Sequence, residues 1–274
     1  MEQQNLEFLK DKLKYSGFDP ELIQQMEKQM EKGQKEFQLQ RTMEIEGNKV
    51  DFNLHFNKSD TSEKYFFNKT DVTLHPTMEN GAAVSHTFYQ NQNVSAKEAF
   101  NLLQGRAVDK TLFNKEGQSY KAWLQLDLKD KDERNNYRVN QYHENYGYNL
   151  KDLIGQLPVK LDERQAEWLE KSLQKGNRHG VAMEMDGKKE RIYVEANPQF
   201  KTLNFYDQSG KRISKDDLKI KMEQSGTKQA KGQSQESPGK GKKNEEGSKK
   251  KSAPKVDKRP SVKKKPSRKK GVGV

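Results

Sequence analysis

A chain of 274 residues with 34% charged and 30% hydrophobic residues is poor material for one large core, and its length allows one or two domains. It has no cysteine, which excludes disulfides, thiolate metal sites and thiol nucleophiles. The formal net charge of +12 is confined to the C-terminal fifth: Gln224 to Val274 carries 17 Lys/Arg against four acids, whereas residues 1–223 hold 35 bases and 36 acids.

The start, Met1-Glu2-Gln3-Gln4-Asn5, is polar without a basic or apolar leader pattern, and no stretch approaches the ~20 apolar residues that span a bilayer. A cytoplasmic setting without membrane contact is expected. Leu6, Leu9 and Leu13 share one face of a helix over 5–15, with Phe8 and Tyr15 nearby, and Ser16-Gly17-Phe18 breaks it. Asp19 caps a second helix with Pro20 at its first position. Leu22, Ile23, Met26 and Met30 form its apolar stripe, and Gly33 ends it.

The period then changes from helical to alternating. Val50, Phe52, Leu54 and Phe56 alternate with polar residues after a turn at Glu46-Gly47-Asn48, as in a strand with one wet face. Further strands are expected from Tyr65 to about Leu74 and from Ser85 to Gln90. Ser95 and Glu98 form a capping box for a helix closed by Gly105. Ala122, Leu124, Leu126 and Leu128 alternate in a strand. Lys129–Asn136 reads as a polar turn, and Tyr137 to Tyr142 returns antiparallel. Asp162 and Gln165 box the start of another helix, with Trp168, Leu169 and Leu173 on its apolar side and Gly176 at its end. Short strands follow at Val181 to Met185, Ile192 to Val194 and Leu203 to Tyr206, parted by Asp186-Gly187 and Asn197-Pro198.

Two regions resemble each other in order. Glu27 to Gly33 lines up with Glu170 to Gly176, and Met43 to Lys49 with Met183 to Lys189, three residues closer in the second copy. The expected fold class is α+β: two related helix-plus-antiparallel-meander units with a disordered basic C-terminal tail. The segments are 1–90, the first unit; 91–145, a capped helix and β-hairpin; 146–223, the second unit; and 224–274, the lysine-rich tail. The tail has no Phe, Trp or Tyr, so it cannot bury enough surface to offset an ordering entropy of ~1–2 kcal/mol per residue.

Catalytic and cofactor motifs are sparse. Gly239-Lys240-Gly241-Lys242-Lys243 lacks the spacing and Ser/Thr of a phosphate loop. His55, His75, His86, His143 and His179 form no helical ligand pair and read as surface histidines. The acids Asp127, Asp130, Asp132 and Glu133 are interleaved with Lys129, Lys131 and Arg134, as in a solvated hairpin loop. No metal, cofactor or catalytic residue is assigned. Trp123, Tyr137, Tyr142, Tyr146 and Tyr148, with Arg106 and Arg138, form either a base-stacking platform or core and a cross-strand ladder; the core reading is favoured. The nucleic-acid-binding residues are placed in the tail: Lys249, Lys250, Lys251, Lys258, Arg259, Lys263, Lys264, Lys265, Arg268, Lys269 and Lys270. Pro254, Pro260 and Pro266 space these cations along an extended chain that can track phosphates without reading bases.

Several runs resemble a family. Leu13 to Phe18, Lys97 to Val108, Tyr146 to Leu150, Ser172 to Asn177 and Ala196 to Lys201 are similar to the hallmark runs of an uncharacterised domain family of gut-dwelling Gram-negative bacteria. Its members are common on conjugative elements and sometimes stand beside topoisomerase-like domains. The resemblance covers roughly residues 5–215 and brings no catalytic residues with it; it implies a mobile-element setting. The resulting expectation is a non-enzymatic accessory protein that binds DNA non-specifically through its tail, with a DNA-processing protein as a further partner. The alternative is a protein-interaction or regulatory module with an incidental solubilising tail. An enzyme using scattered His, Asp and Glu ranks third.

Overall fold

In the computed structural model, the cap signals at Asp19, Ser95 and Asp162 each start a helix. The first helix, α1 (Gln3–Tyr15), stops where Gly17 adopts a φ of +90° and the Phe18 N–H returns to the Leu13 carbonyl. Asp19 then accepts the Leu22 N–H at 3.0 Å to open α2 (Pro20–Glu31). Ser95 and Glu98 bond reciprocally around the start of α3 (Ala96–Leu103). A short helix, α4 (Leu150–Gly155), has no counterpart among the sequence expectations; Asn149 caps it. Asp162 and Gln165 box the start of α5 (Glu163–Gln174).

The strands form antiparallel meanders. The first sheet joins β1 (Glu36–Ile45), β2 (Asn48–Lys58), β3 (Tyr65–His75) and β4 (Val84–Tyr89) in that order. Ile45 stands opposite Asn48, so Glu46 and Gly47 alone make the turn, both at positive φ as a two-residue hairpin requires. The second sheet is β5 (Val108–Phe113), β6 (Ser119–Lys131) and β7 (Tyr137–His143), three strands where a hairpin was expected. The third places β8 (His179–Met185), β9 (Lys188–Asn197), β10 (Thr202–Tyr206) and β11 (Arg212–Ile213) side by side in chain order. The fold is therefore α+β, with antiparallel sheets and packed helices.

The structure describes residues 2–77, 81–185 and 188–220, all of them within the unit Met1–Ser234. The expected disordered tail with its binding cations from Lys249 to Lys270, and the Asp186-Gly187 turn, lie outside the described residues.

The middle sheet decides the architecture because its two faces meet different cores. Val108, Leu112, Ala122, Leu124 and Leu126 point into a cluster with α1, α2, α3 and the first sheet. Ala107 and Trp123, on the opposite face, join a second cluster with α4, α5 and the third sheet. Helix α3 is buried almost all round, including Glu98. That carboxylate accepts the Ser95 N–H at 2.8 Å and the Lys110 ammonium at 2.9 Å, so no lone charge is left in the interior. Trp168 departs from expectation. It lies 72% exposed on α5 while Leu169 and Leu173 supply the buried stripe.

Gly33 and Gly176 end α2 and α5 with φ of +73° and +74°, yet their surroundings differ. A Cβ on Gly33 would meet nothing, whereas one on Gly176 would stand 2.8 Å from the Ala107 carbonyl oxygen and 2.9 Å from Val108 Cγ2. Gly33→Ala is expected to cost about 1 kcal/mol, the left-handed strain alone. Gly176→Ala adds overlap with the Ala107 carbonyl just before β5, for about 3 kcal/mol or more. Urea denaturation of both variants checks this; equal losses would show that the α5–β5 contact is slack.

Candidate functional site

The aromatic residues singled out in the sequence separate into two groups. Asp109, Trp123 and Tyr142 form one cross-strand row of the middle sheet, on the face that looks toward α4 and α5. Tyr148 meets Trp123 edge-on at 5.3 Å, and Tyr142 packs against Tyr146 at 5.1 Å. Tyr137 lies on the other face with the first core cluster, beneath the Lys131 ammonium. Arg106 is buried and turned toward Glu46, and Arg138 pairs with Asp130 at 2.6 Å. The seven residues therefore build no common platform. Trp123 is core, and Tyr142 and Tyr148 are half-buried walls against it.

Those walls bound a cleft of about 450 Å³ lined by Asp109, Lys121, Trp123, Tyr142, Tyr148 and Glu170, among others. Burial raises the Asp109 carboxyl above its usual range; Lys121 and Lys110 pull it down, and Glu144 and Glu170 add to the rise. Burial likewise pushes both tyrosine hydroxyls up, and Tyr148 donates to the Thr202 carbonyl at 3.4 Å. The cleft presents a partly dry carboxylate between aromatic walls, a setting that suits a cation better than a phosphate. A larger groove of about 1220 Å³ runs between α4 and α5, with Ile154, Leu157, Val159 and Leu161 as apolar lining.

The acidic cluster serves its own hairpin. Asp127 accepts the Lys129 N–H at 3.1 Å, and Asp132 accepts those of Arg134 and Asn136, each at 2.9 Å. Asn136 then takes the Thr87 N–H, tying this turn to β4. No three His, Asp or Glu side chains converge as a metal site among the described residues, and no described helix is long and apolar enough to cross a membrane.

The histidines are not uniformly superficial. His55 and His75 pair with Asp71 and Asp51 on the first sheet, His143 lies beside Tyr120, and His179 meets exposed Trp168 edge-on. His86 is buried between Phe88 and Tyr137, and its Nδ1 meets no partner among the described residues. This corrects the surface reading: β4 turns the His86 side inward, where it continues the apolar row of Phe88.

Comparison with protein-family models, with curated proteins and with solved structures finds no match. Sequence reading also passed over the outer face of the third sheet, where Arg191 and Tyr193 alternate with buried Ile192 and Val194. The signal was the period-2 pattern itself, read only for its apolar half.

His86 gives a pH test. Burial lowers its pKa from 6.5 to about 4, against a smaller upward pull from Asp132. The unfolded chain thus gains its proton near 6.5 and the folded chain only near 4. The contribution of neutral His86 is fully present above pH 6.5, declines below it, and is gone once the pH falls through about 4. Wild type should lose more stability across that window than His86→Leu does. Denaturant melts at several pH values check it, and parallel profiles would contradict the buried, neutral imidazole.

Proposed function

We propose that the protein is a non-enzymatic, nucleic-acid-associated accessory protein of a mobile or conjugative element, working in the cytoplasm through a folded body and a cationic arm. The observation that carries this reading is the segregation of charge: 17 Lys/Arg against four acids beyond Gln224, beside a body with 35 bases and 36 acids. Chance placement of surface charge does not concentrate the whole net charge in one terminal segment. The blocks Lys249–Lys251, Lys263–Lys265 and Arg268–Lys270, spaced by prolines and lacking aromatics, suit phosphate contacts that are indifferent to sequence. The family resemblance supports the mobile-element setting. The apolar grooves beside α4 and α5 suit a protein partner, such as a DNA-processing enzyme, more than a polyanion.

We also infer that α2 with β1–β4 and α5 with β8–β11 descend from one duplicated unit. Supporting this, both helices end at a glycine with positive φ, and both run into a four-stranded meander. The first hairpins share a register: Met43 stands opposite Val50, and Met183 opposite Glu190. Aligning the two halves separately across relatives tests the inference. The Gly33/Gly176 and Met43/Met183 positions should recur in one order, and relatives with the blocks out of order would sink it.

The arm makes a quantitative prediction on duplex DNA. Each neutralised phosphate releases counterions, so log K should fall with log[salt] by roughly 0.9 per contact. Five to eight simultaneous contacts, on the order of half the arm's cations, give a slope of about −4 to −7. Replacing Lys263, Lys264 and Lys265 with alanine should flatten it by up to about 3 and weaken unrelated duplexes alike. Mobility shift or anisotropy over a salt series measures this. A salt-insensitive complex, or one unchanged by the triple substitution, would remove the role from the arm.

A further inference from the structure

Along β9, Ile192 and Val194 enter the core, so Arg191 and Tyr193 must face the other way. The same alternation in β10 buries Leu203 and Phe205 and turns Asn204 and Tyr206 outward; in β11 it buries Ile213 and turns Arg212 outward. Strand register places these residues in one line. Gly180 stands opposite Tyr193, Tyr193 opposite Tyr206, and Tyr206 opposite Arg212, so a single row crosses all four strands.

The surroundings of that row are cationic. The Arg178 guanidinium sits over the Tyr206 ring, 3.9 Å from its centroid, and Arg191 lies 5.9 Å from the Tyr193 centroid. Arg212 is held by Asn204 at 3.0 Å, and exposed Lys189 lies two residues along from Arg191. Two acids share the face. Glu195 is buried and gripped by Arg178 at 2.6 Å, and Glu184 stands opposite Lys189. Cations are therefore in excess where the face meets solvent. At the rim the residues are small: Gly180 leaves the space that the Arg191 side chain occupies, since a Cβ there would overlap it.

We propose that this outer face of the β8–β11 sheet is a stacking platform for single-stranded nucleic acid, with Tyr193 at its centre. An antiparallel sheet with its helices on the other side can offer the half-buried Tyr193 ring and the guanidinium plane over Tyr206 to splayed bases, while flanking arginines meet the phosphates. Duplex bases are stacked on one another and cannot use such rings, so the platform selects single strands. The site lies in the body and does not rest on the arm: the arm supplies charge without aromatics, and this face supplies aromatics with charge.

The test uses the full chain, with fluorescence anisotropy on labelled oligodeoxythymidylate, oligouridylate and a duplex. Tyr193→Leu should weaken single-strand binding by roughly tenfold, the loss of about one stacked base. It should leave duplex affinity and its salt slope unchanged. Tyr193→Phe keeps the ring and should bind as wild type does. Arg191→Gln, at an exposed position, should weaken single strands severalfold. The same series in the Lys263, Lys264, Lys265→Ala background should show the same ratios, which separates failure of the arm from failure of the platform. Whichever of the two single strands responds more identifies the preferred backbone. Equal losses on single strand and duplex, full affinity in Tyr193→Leu, or a Phe variant as weak as the Leu variant would overturn the platform.

Discussion

The C-terminal ends of α3 and α5 leave carbonyls that their own helices cannot satisfy, and the α3 end donates to those at the end of α5. At α3 the chain turns through Gly105, and the Arg106 N–H returns to the Asn101 carbonyl at 3.0 Å. At α5 the turn is Gly176, with the Asn177 N–H on the Ser172 carbonyl at 3.1 Å. Asn101, with a side chain wholly out of solvent, then donates to the Lys175 carbonyl at 2.6 Å and to Asn177 Oδ1 at 3.0 Å. Because Gly176 also stands against the Ala107 carbonyl and the Val108 side chain, the α5 cap is set against the start of the middle sheet. The two hydrophobic clusters meet here, so their relative position depends on polar bonds as well as on apolar contact.

Arg106 extends this knot to the first sheet. Its side chain is almost fully buried under the α3–β5 turn, 3.0 Å from Glu46 at the β1–β2 turn, with the guanidinium 5.3 Å from the Phe100 ring centroid. Glu46 feels burial, which pushes its carboxyl up, but Lys97 at 2.5 Å and Arg106 outweigh that and hold it below its usual 4.5. A pair of this kind contributes little by attraction alone, since the guanidinium has lost its water while Glu46 stays partly in solvent. Its consequence is directional. A guanidinium left here without Glu46 would be an uncompensated buried charge, so misplacement of the β1–β2 turn is strongly penalised. The left-handed Glu46-Gly47 turn therefore presents a carboxylate at a defined place as well as reversing the chain.

Helix starts were legible because capping is local: Asp19, Ser95 and Asp162 announce themselves within four residues. Strand interiors with strict alternation, at Val50–Phe56 and Ala122–Leu128, were legible for the same reason. What escaped was whatever needs a distant partner. Strand β5 puts Lys110 on an inward face, which reads as polar until Glu98 of α3 is brought 2.9 Å away. Trp168 looked like core by helical spacing, but α5 turns Leu169 and Leu173 into the core and leaves Trp168 in solvent. His86 looked like surface by chemistry, yet its register beside Val72 puts it under Tyr137. The aromatic cluster around Trp123 could be divided only once each face of the middle sheet was assigned to its own cluster.

The same two-sidedness bears on where a polyanion can be met. The middle sheet shows Tyr142 only beside the Asp109 and Glu170 carboxylates, a setting that repels a polyanion, which leaves the outer sheets. The outward side of the first sheet carries His55, Asp71, His75 and Asp51, where carboxylates and imidazoles compensate one another. The outward side of the third sheet carries Arg178, Arg191 and Arg212 around two tyrosines, with its one buried carboxylate already gripped by arginine. A body that is close to neutral as a whole can thus be cationic on one face, because most of its acids lie elsewhere. Net charge located the arm; only the pairing of individual carboxylates locates the face.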